Sequence, residues 1–166
     1  MDAWRVTQED HDVHDIATMR LTNYEIIILN GIAINLFTNG KRESALRLFE
    51  DLRNNINHFI VDGVEKMRTY LLVSYNYTKQ LGLNNQHYRV LDITEEGINR
   101  CIQYFDVRRV AGLVVNKAYS LLELGDKEKS VPHFAIAYYV FGLFNRTEHQ
   151  RNIKHYVEER LGLVFS

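Results

Sequence analysis

The sequence predicts an all-α chain: three helix–turn–helix hairpins in tandem, flanked by an N-terminal helix and closed by a C-terminal one. Three observations carry this. Apolar residues recur at helical spacing through almost all of the 166 residues, and strand-like alternation never persists. There is a single proline, so helix breakers are missing over long stretches. One rhythm is also written three times: Ala33, Gly40, Ala45; then Thr78, Asn85, Val90; then Ala118, Gly125, Ser130. Each is a slim residue, a turn residue seven on, and a second slim residue five beyond.

That rhythm has a direct physical reading. Two antiparallel helices approach most closely where their side chains are smallest, and the tight turn between them needs a left-handed backbone. Gly enters that region freely, and Asn more easily than most residues. The strings LFTNGKRESALRLFEDL (36–52) and LLELGDKEKSVPHFAIAY (121–138) are thus two copies of one turn and second helix.

The elements follow in order. Residues 1–20 are an N-terminal helical segment, and 21–166 the repeat domain, with hairpins over about 22–57, 62–104 and 107–143. Ile26, Leu29, Ile32, Ala33, Leu36 and Phe37 stripe the first helix, and Ala45, Leu48, Phe49, Leu52 and Ile56 the second. Asp62-x-x-Glu65 has the form of a capping box ahead of Met67, Tyr70, Leu71, Ser74, Tyr77 and Leu81. Val90, Ile93, Gly97, Ile98, Cys101 and Ile102 make a fourth stripe, Val114, Ala118, Leu121 and Leu122 a fifth, and Phe134, Tyr138 and Phe141 a sixth. Pro132 falls inside that sixth helix if Asp126 caps it, which predicts a kink or a start delayed to about Ser130. A final helix over about 147–162 carries Ile153, Tyr156, Val157 and Leu161, with Thr147 and Gln150 as its cap and Gly162 at its end.

Composition excludes several classes. Twenty basic and twenty-one acidic side chains give a net charge of −1, so the chain lacks the basic excess that non-specific nucleic-acid binding requires. No apolar run reaches membrane-spanning length, since the one near Ile26–Leu29 is cut by Asn30. The lone Cys101 rules out an internal disulfide and, with an acidic start unlike a secretory signal, indicates the cytoplasm.

The small–Gly–Ala-x-x-x-Phe pattern, clearest at Ala45–Phe49 and approximate at Ser130–Phe134, resembles a tetratricopeptide repeat. Val90–Thr94 departs from it. Ala33 to Thr78 is 45 residues and Thr78 to Ala118 is 40, both longer than that repeat's unit. The strings VSYNYTKQLGL (73–83), VLDITEEGINRCI (90–102), GLVVNKAYSLLELGDKEKS (112–130) and AYYVFGLF (137–144) resemble more specifically the C-terminal domain of Xre-type, Rgg-like helix-turn-helix transcription regulators of Gram-positive bacteria, over roughly 22–163. The resemblance implies a tetratricopeptide-like right-handed superhelix that dimerises and accepts a short peptide or small-molecule ligand on its concave face. It implies DNA binding only through a separate unit: residues 1–20 are too short and too acidic to be one. The alternative is a stand-alone tetratricopeptide adaptor that holds a partner protein in the same groove.

First helices line the concave wall of such a stack. Counting from the slim residue of each gives Asn30, Ile34 and Phe37, then Tyr75, Asn76 and Lys79, then Val115, Asn116, Tyr119 and Glu123 as groove candidates. Each hairpin supplies an Asn two or three residues before its slim position, and an amide can clamp an extended peptide backbone without reading its side chains. Tyr75 and Tyr119 add amphipathic contact area. Equally, the Asn residues can bond to neighbouring helices and the tyrosines can pack between repeats. The aromatic residues Tyr138, Tyr139, Phe141, Phe144 and Tyr156 suggest a homodimer surface, or else rings covered by the final helix.

His11 and His14, beside Asp10 and Asp15, have zinc-ligand spacing but no matching set elsewhere, so no metal or cofactor is expected. The other histidines are scattered, and no nucleophile elbow or phosphate loop is present. Glu95–Glu96 and Glu158–Glu159 diverge around their helices. No enzyme is expected.

Overall fold

The computed structural model describes residues 16, 18–59, 63–104 and 107–165. They form seven helices and no strand: α1 (Asn23–Thr38), α2 (Arg42–Phe59), α3 (Val64–Leu83), α4 (His87–Gln103), α5 (Val107–Glu123), α6 (Lys127–Leu143) and α7 (Thr147–Leu161). The fold is all-α, with tetratricopeptide-like helix hairpins. The chain packs as two compact units, residues 1–80 and 81–166, with the boundary inside α3. The N-terminal segment falls outside the described residues except for Ile16 and residues 18–20. Asp62 and the His11/His14 pair with Asp10 and Asp15 lie outside them as well.

The turns explain the sequence rhythm. After α1, the Gly40 N–H donates to the Phe37 carbonyl and the Lys41 N–H to the Leu36 carbonyl, at 3.1 and 2.9 Å. The same two bonds follow α3 (Asn85 to Gly82, Gln86 to Leu81) and α5 (Gly125 to Leu122, Asp126 to Leu121). This is the Schellman arrangement, which requires a left-handed residue just past the helix. Gly40, Asn85 and Gly125 supply it at φ 83°, 57° and 85°. The next residue in each case then starts the following helix, its carbonyl accepting from Ala45, Val90 and Ser130 in turn. The second slim position is therefore the residue whose N–H closes the first turn of the second helix.

A fourth turn of this kind joins α6 to α7, where Asn145 (φ 56°) donates to Gly142 and Arg146 to Phe141. Its spacing is again seven and five, from Tyr138 to Asn145 to Gln150, but neither flanking residue is slim. Here the Gln150 side-chain amide donates to the Tyr138 carbonyl at 3.0 Å, and a Cβ on Gly142 would strike that amide. A glycine and a side-chain bond do what two small side chains do elsewhere. Gln150 is therefore not a capping partner of Thr147. Thr147 is the first residue of α7, and Arg146 is its N-cap with no side-chain bond.

Helix α6 does not start late. Asp126 accepts from the Lys129 N–H at 3.2 Å, and the helix runs unbroken through Pro132. The Ser130 N–H already reaches the Asp126 carbonyl at 3.1 Å, so the first turn is closed before the proline removes a single donor. At the start of α1, Thr22 and Glu25 form a reciprocal capping box. Its Thr-x-x-Glu spacing is legible in the sequence, although that stretch was not among the caps inferred from it.

In the first unit Ala33 and Ala45 are both fully buried, as the close approach of α1 and α2 requires. Part of α3 packs on α2 through stacked rings of Phe49 and Tyr77, 5.6 Å apart, and through Arg53, which lies over the Tyr70 ring and donates to its hydroxyl at 2.8 Å. In the second unit Val114, Val115, Ala118, Phe134, Ala137, Ile153, Val157 and Leu161 form the core of α5, α6 and α7. Helix α4 joins α5 by the Lys117–Glu95 ion pair and a 3.3 Å contact between His87 Nδ1 and the Ser120 hydroxyl.

Candidate functional site

Two of the three asparagines meet. The Asn76 Nδ2 donates to Asn30 Oδ1 at 3.2 Å, tying α3 to α1 inside the first unit. Two helical turns earlier the Thr69 hydroxyl lies 3.4 Å from the Asn23 amide oxygen. Both pairs are 46 residues apart, so α1 and α3 run parallel in one fixed register. Asn30 is buried, while Asn76, Tyr75 and Ile34 are half-buried and Lys79 is exposed. Burial raises the Tyr75 phenol above its ordinary value, which keeps it a neutral hydroxyl over the physiological range. The pair commits one donor and one acceptor, while each amide has two of each kind of site to offer.

Phe37 does not belong to this surface. It is buried beneath the Arg42 guanidinium, 5.5 Å from the ring centroid, because it lies four residues beyond Ala33 on the stripe that faces α2.

In the second unit the candidates divide differently. Val115 is part of the core, and Asn116 is buried on α5. Tyr119 packs edge-on against Phe134 on α6 and Tyr156 on α7, with centroids 5.0 and 4.6 Å away. Glu123 is exposed, 3.8 Å from Arg160 on α7. The Tyr119–Tyr156 and Glu123–Arg160 pairs share one offset, so α5 and α7 also run parallel in register. Burial first, and Glu123 second, raise the Tyr156 phenol. Tyr119 is therefore a packing residue on its α7 side, which spacing alone did not reveal because α7 was read only as a cap.

The remaining chemistry-bearing side chains serve local structure. His58 and His133 contact the Asn54 and Lys129 carbonyls of their own helices, His149 lies against Phe141, and His155 is 3.4 Å from Glu159. Glu95 and Glu96 do diverge, one to Lys117 and the other to Arg100. Cys101 is buried on α4. Among the described residues no His, Cys, Asp or Glu cluster could hold a metal ion, and no helix is long and apolar enough to cross a membrane.

Consecutive helices joined by short left-handed turns, with alternate helices parallel in fixed register and tied by amide or aromatic rungs, define a helical-repeat domain. The chain belongs to the RNPP family: the model of the RNPP family C-terminal domain matches residues 12–157. No curated protein and no solved structure matches it.

Proposed function

We propose that this chain is the ligand-sensing and dimerisation domain of a bacterial transcription regulator, and that its ligand is a short peptide held in extended form. Membership of the RNPP family supports the regulatory role. The observation that carries the site is the Asn30–Asn76 pair. An amide held at one end by its neighbour is already oriented, so a peptide backbone that docks on it loses little further side-chain entropy. Ile34 and Tyr75 beside the pair offer apolar area, and Lys79 a cation for a peptide carboxylate. Dimerisation is supported by an outward stripe on α6, where Ile136, Tyr139 and Leu143 are all exposed, Leu143 to 76%.

The test is mass spectrometry of peptides that co-purify with the protein, followed by titration calorimetry with the best of them. Replacing Asn76 by Ala is expected to weaken capture about tenfold, the upper end for one hydrogen bond, while leaving the helical circular dichroism intact. If no peptide is retained, or if the Asn76 variant binds as the parent does, the peptide reading is wrong.

A further inference from the structure

We propose that residues 162–165 form a latch on the second unit, docked by the Phe165 ring on Tyr138 and governed by the position of Tyr119. This goes beyond the reading above, whose peptide site is built from residues of the first unit. At the end of α7, Gly162 adopts φ 65° and its N–H donates to the Glu158 carbonyl, so the chain leaves the helix axis there. Leu163 and Val164 are exposed, Val164 to 73%. Phe165 is half-buried and stacks on Tyr138 with centroids 4.9 Å apart and planes 29° apart.

Tyr138 lies one helical turn beyond Phe134 on the same face of α6. Phe134 meets Tyr119 edge-on and is 5.7 Å from the Tyr156 ring. Tyr119, Phe134, Tyr138, Tyr156 and Phe165 all belong to, or pack against, one core cluster. Close-packed rings cannot absorb a displacement individually, because each fills the space its neighbour leaves. A shift of Tyr119 therefore displaces Phe134 and Tyr156, and the segment after Gly162, whose Leu163 and Val164 are exposed, is held on this cluster through the Phe165 ring. Docked and released tails are the two states that such coupling requires.

The latch can be read without any ligand. The chain has one tryptophan, Trp4; in a Trp4→Phe background, Phe165→Trp places a single fluorophore on the tail. Tyr138→Ala is expected to red-shift its emission and raise its quenching by acrylamide, which reports release. Tyr119→Ala is expected to raise the released population at least about twofold, the lower end of couplings carried through packed side chains. Should Tyr119→Ala disturb the circular dichroism, Tyr119→Leu keeps the fold and makes the same prediction. If Tyr138→Ala leaves quenching unchanged there is no latch. If Tyr138→Ala raises it but neither Tyr119 variant does, the tail is docked but not governed. Either result overturns the proposal and leaves the peptide-binding test untouched, just as failure to bind a peptide would leave this coupling standing.

Discussion

Among the described residues, four hold the left-handed backbone of these Schellman turns: Gly40, Asn85, Gly125 and Asn145. Gly125→Ala is expected to cost about 1–2 kcal/mol, the steric penalty of a Cβ in that conformation, seen as a lower urea midpoint at unchanged slope. Asn85→Gly is expected to be neutral or slightly stabilising by the same measurement, since Gly carries no such penalty. At the other end of α1, the Thr22 backbone N–H first and its hydroxyl second hold the Glu25 carboxyl below its ordinary range. A folded-state pKa that is depressed means stability present above the unfolded value and lost as pH falls through the folded one. Thr22→Ala should destabilise by about 1 kcal/mol at neutral pH, with the gap to the parent narrowing but not closing in melts below the glutamate range, because the hydroxyl's acceptance from the Glu25 N–H does not titrate. Gly40, Asn85 and Gly125 were legible because Gly and Asn announce left-handed backbone by their chemistry. The Phe37 side chain was not: helical spacing places it on a stripe but does not say which neighbour the stripe meets.

Helix against helix, the hairpins depend on how little side chain stands between them. Ser130 is fully buried and its hydroxyl meets no hydrogen-bond partner among the described residues, whereas the same place in the first hairpin is Ala45. Ser130→Ala is expected to stabilise the fold by up to about 1 kcal/mol, because a buried unmade bond costs more than the methyl that replaces it; thermal melts monitored by circular dichroism measure this. The opposite holds at Gly97 on α4, where an added Cβ would run into the Leu113 side chain of α5, itself fully buried. Gly97→Ala should cost about 1–3 kcal/mol by overpacking. Combining it with Leu113→Ala should give a double variant less damaged than the sum of the two, by denaturant titration. The spacing of slim residues disclosed three hairpins but not the fourth turn. At Tyr138 and Gln150 large side chains satisfy the same geometry through a hydrogen bond, and a pattern of sizes cannot register that.

Over the whole molecule the controlling quantities are charge and exposed apolar surface. A net charge of −1 releases too few counterions for tight backbone binding, so a duplex DNA fragment is expected to migrate unretarded with this chain in a gel-shift assay at physiological salt. Sedimentation at two concentrations should show a dimer that Leu143→Glu dissociates; a monomer throughout would remove the α6 stripe as a dimer face. The sequence by itself determined the helical class, the backbone requirement of three of the turns and the absence of a basic excess, because periodicity, Gly and Asn placement and charge are properties of the chain read along its length. Only the tertiary structure decided that Asn30 meets Asn76, that Phe37 turns inward and that Tyr119 leans on Tyr156. Each of those depends on the register between helices far apart in sequence, and that register is set by the packing of the whole core rather than by any local run of residues.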